Sequence, residues 1–122
     1  WEQVIKNIPA WLLVCQDEVS GGELRDESIH AHSVTFQALG IVGRYLLEND
    51  KDWKKTLKEL KKVDWSRTNK NWEGRCVING SMHNNPKAAQ LTAIKIKLLI
   101  GSQLNDKEIS TEKKFIEAKN EF

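Results

Sequence analysis

Between Ile29 and Asn49, the apolar residues Val34, Leu39, Ile41, Val42, Tyr45, Leu46 and Leu47 cover a helical stripe too wide for a surface helix. Ala38, Gly40 and Gly43 place small side chains within about one turn of each other. A glycine inside a helix costs about 1 kcal/mol against alanine, so close approach by a neighbouring helix is the expected compensation. The segment predicts a helix running through the middle of an α-helical domain. A chain of 122 residues is long enough to bury one such core, so residues 1–122 are expected to form a single helical domain.

The flanking patterns agree. Trp1–Ile8 and Pro9–Val19 read as two helical stretches, with Pro9 at a first turn and Ser20-Gly21-Gly22 as the stop. After Asp50-Lys51-Asp52, Trp53, Leu57 and Leu60 form the inner stripe of a short helix over Trp53–Lys62, and lysines fill its outside. Cys76–His83 reads as a small hairpin around Asn79-Gly80, because both turn positions need positive φ. Asn85 and Pro86 open the next helix, and Gly101 closes it as the residue past its end. Asn105–Glu108 resembles a capping box starting a last, largely polar helix, whose few anchors are Ile109, Phe115, Ile116 and Phe122. The expected fold is mainly α, a compact bundle of about six helices with one small β-hairpin near residues 76–83.

Composition narrows the function. Charged residues make up 30% of the chain, which favours helices with solvated outer faces, yet the net charge is only +2. Nucleic-acid contact must therefore rest on where the charges lie. Cys15 and Cys76 stand far apart in no metal-like spacing, which suits a reduced, cytoplasmic protein. No apolar run reaches membrane-spanning length, so no membrane association is expected. His30 and His32 fall on different faces if helical, and no clustered pair supplies zinc ligands, so no metal is expected. Cys76 or Ser66 with His83 lacks an orienting acid, and no glycine-rich loop carries a P-loop lysine. Neither catalysis nor a cofactor is expected. The chain opens on Trp1 in helical sequence and ends in charged helix, which reads as a C-terminal piece of a longer protein.

The segment with no period of its own is Val63–Arg75, and the helices read as its scaffold. It crowds Trp65, Trp72, Arg67 and Arg75 among Asp64, Ser66, Thr68 and Asn69. Residues 51–75 hold nine lysines and arginines against four acids, a net +5 in a chain of net +2. Such a patch can neutralise phosphates and release counterions. Arg67, Arg75, Lys54, Lys58 and Lys61 are the candidate phosphate contacts. The plainer reading is a solvated helix, with both tryptophans anchoring the loop and Arg67 paired to Asp64 or Glu73.

Asp64-Trp65-Ser66-Arg67-Thr68-Asn69 followed by Trp72-Glu73-Gly74-Arg75 resembles the C-terminal part of the DndB family, the DGQHR-domain proteins of bacterial DNA phosphorothioation systems. Glu23-Leu24-Arg25, His32-Ser33-Val34 and Ala38–Gly43 upstream are similar in kind and order, as are Asn79-Gly80, Leu91-Thr92 and Leu99-Ile100-Gly101 downstream. The resemblance implies a DNA-associated regulator that represses its modification operon, and not the sulfur-transfer or nicking machinery. It implies structural roles for Asp64, Trp65, Ser66, Asn69, Trp72 and Gly74. DNA is the implied partner, with self-association or other DNA-modification proteins as further ones. The naming DGQHR motif is absent, in keeping with a missing N-terminal domain. The alternative is a helical protein–protein or self-association module without DNA contact. Replacing Arg67 and Arg75 by alanine is expected to weaken DNA binding without lowering the melting temperature.

Overall fold

The protein is described by a computed structural model over residues 1–8, 29 and 32–120. The expectations for Pro9–Val19, the glycine stop at 20–22, Cys15, His30 and Phe122 lie outside those residues. Among the described residues there are five α-helices, α1 (Glu2–Lys6), α2 (Ser33–Asn49), α3 (Trp53–Leu57), α4 (Pro86–Leu99) and α5 (Asp106–Asn120). One antiparallel pair, β1 (Val77–Ile78) and β2 (Ser81–Met82), completes a mainly α architecture. None of these helices is long and apolar enough to cross a membrane.

Helices α2 and α4 form the central pair. Val34, Ala38, Leu39, Val42 and Leu46 share one buried cluster with Ala88, Ala89, Ala93 and Ile96. The buried stripe of α2 is narrower than expected, since Ile41 and Leu47 are 37% and 63% exposed. Nor, among the described residues, does a helix backbone crowd the glycines. A Cβ on Gly40 would lie 3.8 Å from the Trp1 ring, and one on Gly43 would meet nothing within 4 Å among those residues. Helix α2 also begins at Ser33 rather than Ile29. The Ile29 N–H donates to the Trp65 carbonyl at 2.9 Å, and the Thr35 hydroxyl donates to the Ile29 carbonyl at 2.6 Å. These bonds hold Ile29 in a turn tied to the loop, outside the helical ladder.

The helix expected over Trp53–Lys62 is α-helical only to Leu57 and continues as a 3-10 turn over Lys58–Lys62. Its apolar residues explain the tightening. Leu57 and Leu60 are buried and Val63 is half-buried, a spacing of three that a 3-10 turn stacks on one side. The hairpin turn places Asn79 at φ +50° and Gly80 at φ +81°, with Val77 opposite Met82. Helix α4 is capped by the Asn85 side chain, which accepts from the Ala88 N–H at 2.8 Å, and Pro86 is its first residue. It ends in a Schellman motif at Gly101 (φ +80°), where the Ser102 N–H donates to the Lys97 carbonyl at 2.8 Å.

The capping box of α5 is formed. Asn105 Oδ1 accepts from the Glu108 N–H at 2.8 Å, and Glu108 Oε1 accepts from the Asn105 N–H at 3.1 Å. Of its expected anchors, Phe115 faces inward and the two isoleucines do not. Ile109 and Ile116 are about half exposed, and the inward residues are Glu108, Glu112 and Phe115.

Candidate functional site

The loop from Val63 to Arg75 is closed on itself around one main-chain oxygen. The Asp64 carbonyl accepts from the Trp72 indole N–H at 3.0 Å and from the Asn69 side-chain amide at 2.8 Å. Asn69 also caps a 3-10 turn over Lys70–Trp72, its Oδ1 accepting from the Asn71 N–H at 3.1 Å. Trp72 is fully buried, and the Trp65 ring stacks on it with centroids 5.6 Å apart and planes 10° from parallel. The Asp64 carboxylate accepts from the Ser66 hydroxyl and N–H, which hold its pKa below the usual 3.8. Glu73 Oε1 accepts from the Asn79 N–H at 3.0 Å and ties the loop to the hairpin. Gly74 takes φ +81°, which favours glycine, and a Cβ there would sit a tight 3.2 Å from the Phe115 ring.

The two arginines have separate fates. Arg67 is half-buried, and its Nη2 lies 3.0 Å from His32 Nε2. This contact joins the loop to the residue that begins α2. Arg75 is expected at the surface as a phosphate contact, and the structure corrects this. Its side chain is 4% exposed, with Nη1 and Nη2 donating to Glu112 Oε1 and Oε2 at 2.8 and 2.7 Å. Nη1 also donates to the Leu91 carbonyl at 2.9 Å, and Phe115 lies over the guanidinium at 4.3 Å from its centroid. Its cation is spent inside the fold.

The lysines are where expected. Lys51, Lys54, Lys55, Lys58, Lys61 and Lys62 are all exposed along α3 and its 3-10 extension. Lys62 pairs with Glu59 at 3.0 Å, and Lys54 lies 5.4 Å from the Trp53 ring centroid. No ion pair of Lys54, Lys58 or Lys61 occurs among the described residues.

The residues that sequence reasoning missed are Lys97, Glu108 and Glu112. Lys97 is 1% exposed, with Nζ donating to both Glu108 oxygens at 2.7 and 2.8 Å and lying 3.6 Å from the Tyr45 ring centroid. The available signal was a lysine amid the apolar positions of α4, and two glutamates at i, i+4 on one face of α5.

Cys76 is fully buried, and burial pushes its thiol above the usual 9.0 against the Thr92 hydroxyl and the Arg75 charge, so it stays a neutral core group. Among the described residues, no group of three or more histidine, cysteine or acidic side chains is placed to hold a metal ion.

Comparison with curated proteins and with solved structures gives no match. A family model described as DndB, DNA-sulfur modification-associated, matches residues 1–103. That span holds the tryptophan loop, the lysine face, the hairpin and the α2–α4 core, and it stops before α5. The chain belongs to the DndB family of DNA-sulfur modification-associated proteins.

Proposed function

We propose that this domain contributes DNA contact to its DndB-family protein, in the service of transcriptional control of the modification operon. The observation that carries this reading is the lysine face of α3 and its 3-10 extension, where Lys54, Lys58 and Lys61 are exposed with no acidic partner among the described residues. Arg67 lies on the adjoining loop. With Arg75 and Glu73 set aside, residues 51–70 hold eight cations against three acids, still a net +5. Each phosphate neutralised by such a face adds close to one unit to the salt dependence of binding. The tryptophans, Asp64, Ser66, Asn69 and Gly74 shape the loop.

The test is a salt titration of DNA binding by the full protein and by its Lys54→Gln/Lys58→Gln/Lys61→Gln variant. The variant is expected to bind all DNA sequences more weakly, with a salt slope smaller by about three, and to melt as the wild type does. Wild-type affinity and slope in the variant would overturn the reading.

Self-association is favoured by a different observation. Trp1, Phe36 and Leu47 are 61%, 44% and 63% exposed, and the Trp1 and Phe36 rings meet with centroids 6.2 Å apart. Light scattering over rising concentration separates the two readings, since a strict monomer that binds DNA leaves only the first.

A further inference from the structure

Helix α5 is held to the body in an unusual way. Its contacts run through Glu112 on Arg75, Glu108 on Lys97, and Phe115 against Gly74 and Arg75. Both cations lie within the family-matched span of residues 1–103, and all three α5 side chains lie past it. Arg75 also belongs to the tryptophan loop.

We infer that α5 is a releasable cover over a second cationic site, formed by Arg75 and Lys97 and suited to nucleic-acid phosphate. The inference rests on the DNA-contact reading above and extends it to residues that α5 now masks.

The chemistry of the seat supports this assignment. The Arg75 fork grips two carboxylate oxygens side by side, the same arrangement in which a guanidinium takes two phosphate oxygens. The Lys97 ammonium likewise takes both oxygens of Glu108. The α5 carboxylates therefore stand where phosphate oxygens would be held. A seam made of ion pairs yields to a competing anion, whereas an apolar seam does not. Of the apolar side chains of α5, Ile109 and Ile116 are already 53% and 47% exposed, so Phe115 is the one that release uncovers. The seam is also incompletely closed. A cleft of about 350 Å³, lined in part by Ile41, Tyr45, Ile94 and Thr111, runs beside the Lys97–Glu108 pair. The Asn105–Glu108 capping box is local to α5 and its lead-in, so the helix keeps its own start on leaving.

The test uses the full protein and its Glu108→Gln/Glu112→Gln variant, which keeps side-chain shape and removes both charges. Hydrogen exchange of residues 106–120 is read with and without a saturating DNA duplex, and affinity for inorganic pyrophosphate is measured separately. The expected results are at least tenfold faster exchange in α5 when wild-type protein binds DNA, and at least tenfold tighter pyrophosphate binding by the variant. Unchanged α5 exchange in the DNA complex would overturn the release. Unchanged pyrophosphate affinity would overturn the site. Phe115→Ala, which loosens the seat without altering charge, should also tighten pyrophosphate binding, so a poorly folding double variant does not shield the idea. A protein that binds no DNA sinks the DNA-contact reading, and the pyrophosphate arm still decides the site.

Discussion

The indole N–H of Trp72 donates to the main-chain carbonyl of Asp64 at 3.0 Å, eight residues back along the chain. One oxygen therefore sets the diameter of the tryptophan loop. Asn69 donates to the same oxygen, and Trp65 covers the Trp72 ring in a near-parallel stack. Large aromatics in a loop invite a functional reading, but these two are core residues that the loop carries with it.

Trp72→Phe should separate the hydrogen bond from the packing. Losing the N–H leaves Asn69 on the Asp64 carbonyl, at a cost of about 1 kcal/mol. Trp72→Ala removes the buried ring and its stack and should cost about 3–5 kcal/mol. Urea denaturation followed by circular dichroism measures both, and a Trp72→Phe variant as stable as the wild type would count against a loop set by this bond.

Asp64 gives the loop a pH signature. Hydrogen bonds from the Ser66 hydroxyl and N–H lower its folded pKa below 3.8, so the folded state favours the carboxylate. A lowered pKa contributes stability above the unfolded value and loses it as pH falls through the folded one. Asp64→Asn should therefore be less stable than wild type at neutral pH, by a small amount because the carboxylate is exposed. That difference should shrink as pH drops below 3.8. Denaturation midpoints at pH 7 and pH 3 are the comparison, and a gap that stays constant would contradict the Ser66 bonds as its cause.

What the sequence made legible was whatever is local or periodic. Asn85-Pro86, Asn79-Gly80, Gly101 and Asn105–Glu108 all act within four residues of themselves, and each forms as expected. The α2 stripe was read too wide because hydrophobicity alone does not tell which side faces a neighbour, and Ile41 and Leu47 face out. The 3-10 turn was hidden because Leu57, Leu60 and Val63 fit helical and three-residue spacing equally well. Of the candidate site, the exposure of its lysines was legible. Lysines opposite an apolar stripe stay outside in any fold, and so Lys54, Lys58 and Lys61 were found. Arg75 was misplaced because its partner Glu112 lies 37 residues away on a helix that reads as largely polar. Lys97 with Glu108 failed for the same reason, since a pairing across elements leaves no local pattern.

The two arginines of the loop should thus differ in what their mutation costs. Arg67→Ala gives up a half-buried contact with His32 and should cost about 1 kcal/mol. Arg75→Ala leaves Glu112 inside without its partner, and Glu112→Ala leaves Arg75 so; stripping one member of a buried pair costs about 3–5 kcal/mol. The buried pair thus predicts a lower melting temperature on replacing Arg75, against the expectation from the sequence. If α5 responds by undocking, neither single variant can lose more than its docking contributes, and the double variant has nothing further to lose. The double should then match the larger single instead of summing the two, a strong departure from additivity. A double-mutant cycle in urea, with hydrogen exchange of residues 106–120 read on each variant, measures this. Losses that add, with α5 exchange unchanged, would mean that the pair stabilises the body directly and that α5 is not a separable element.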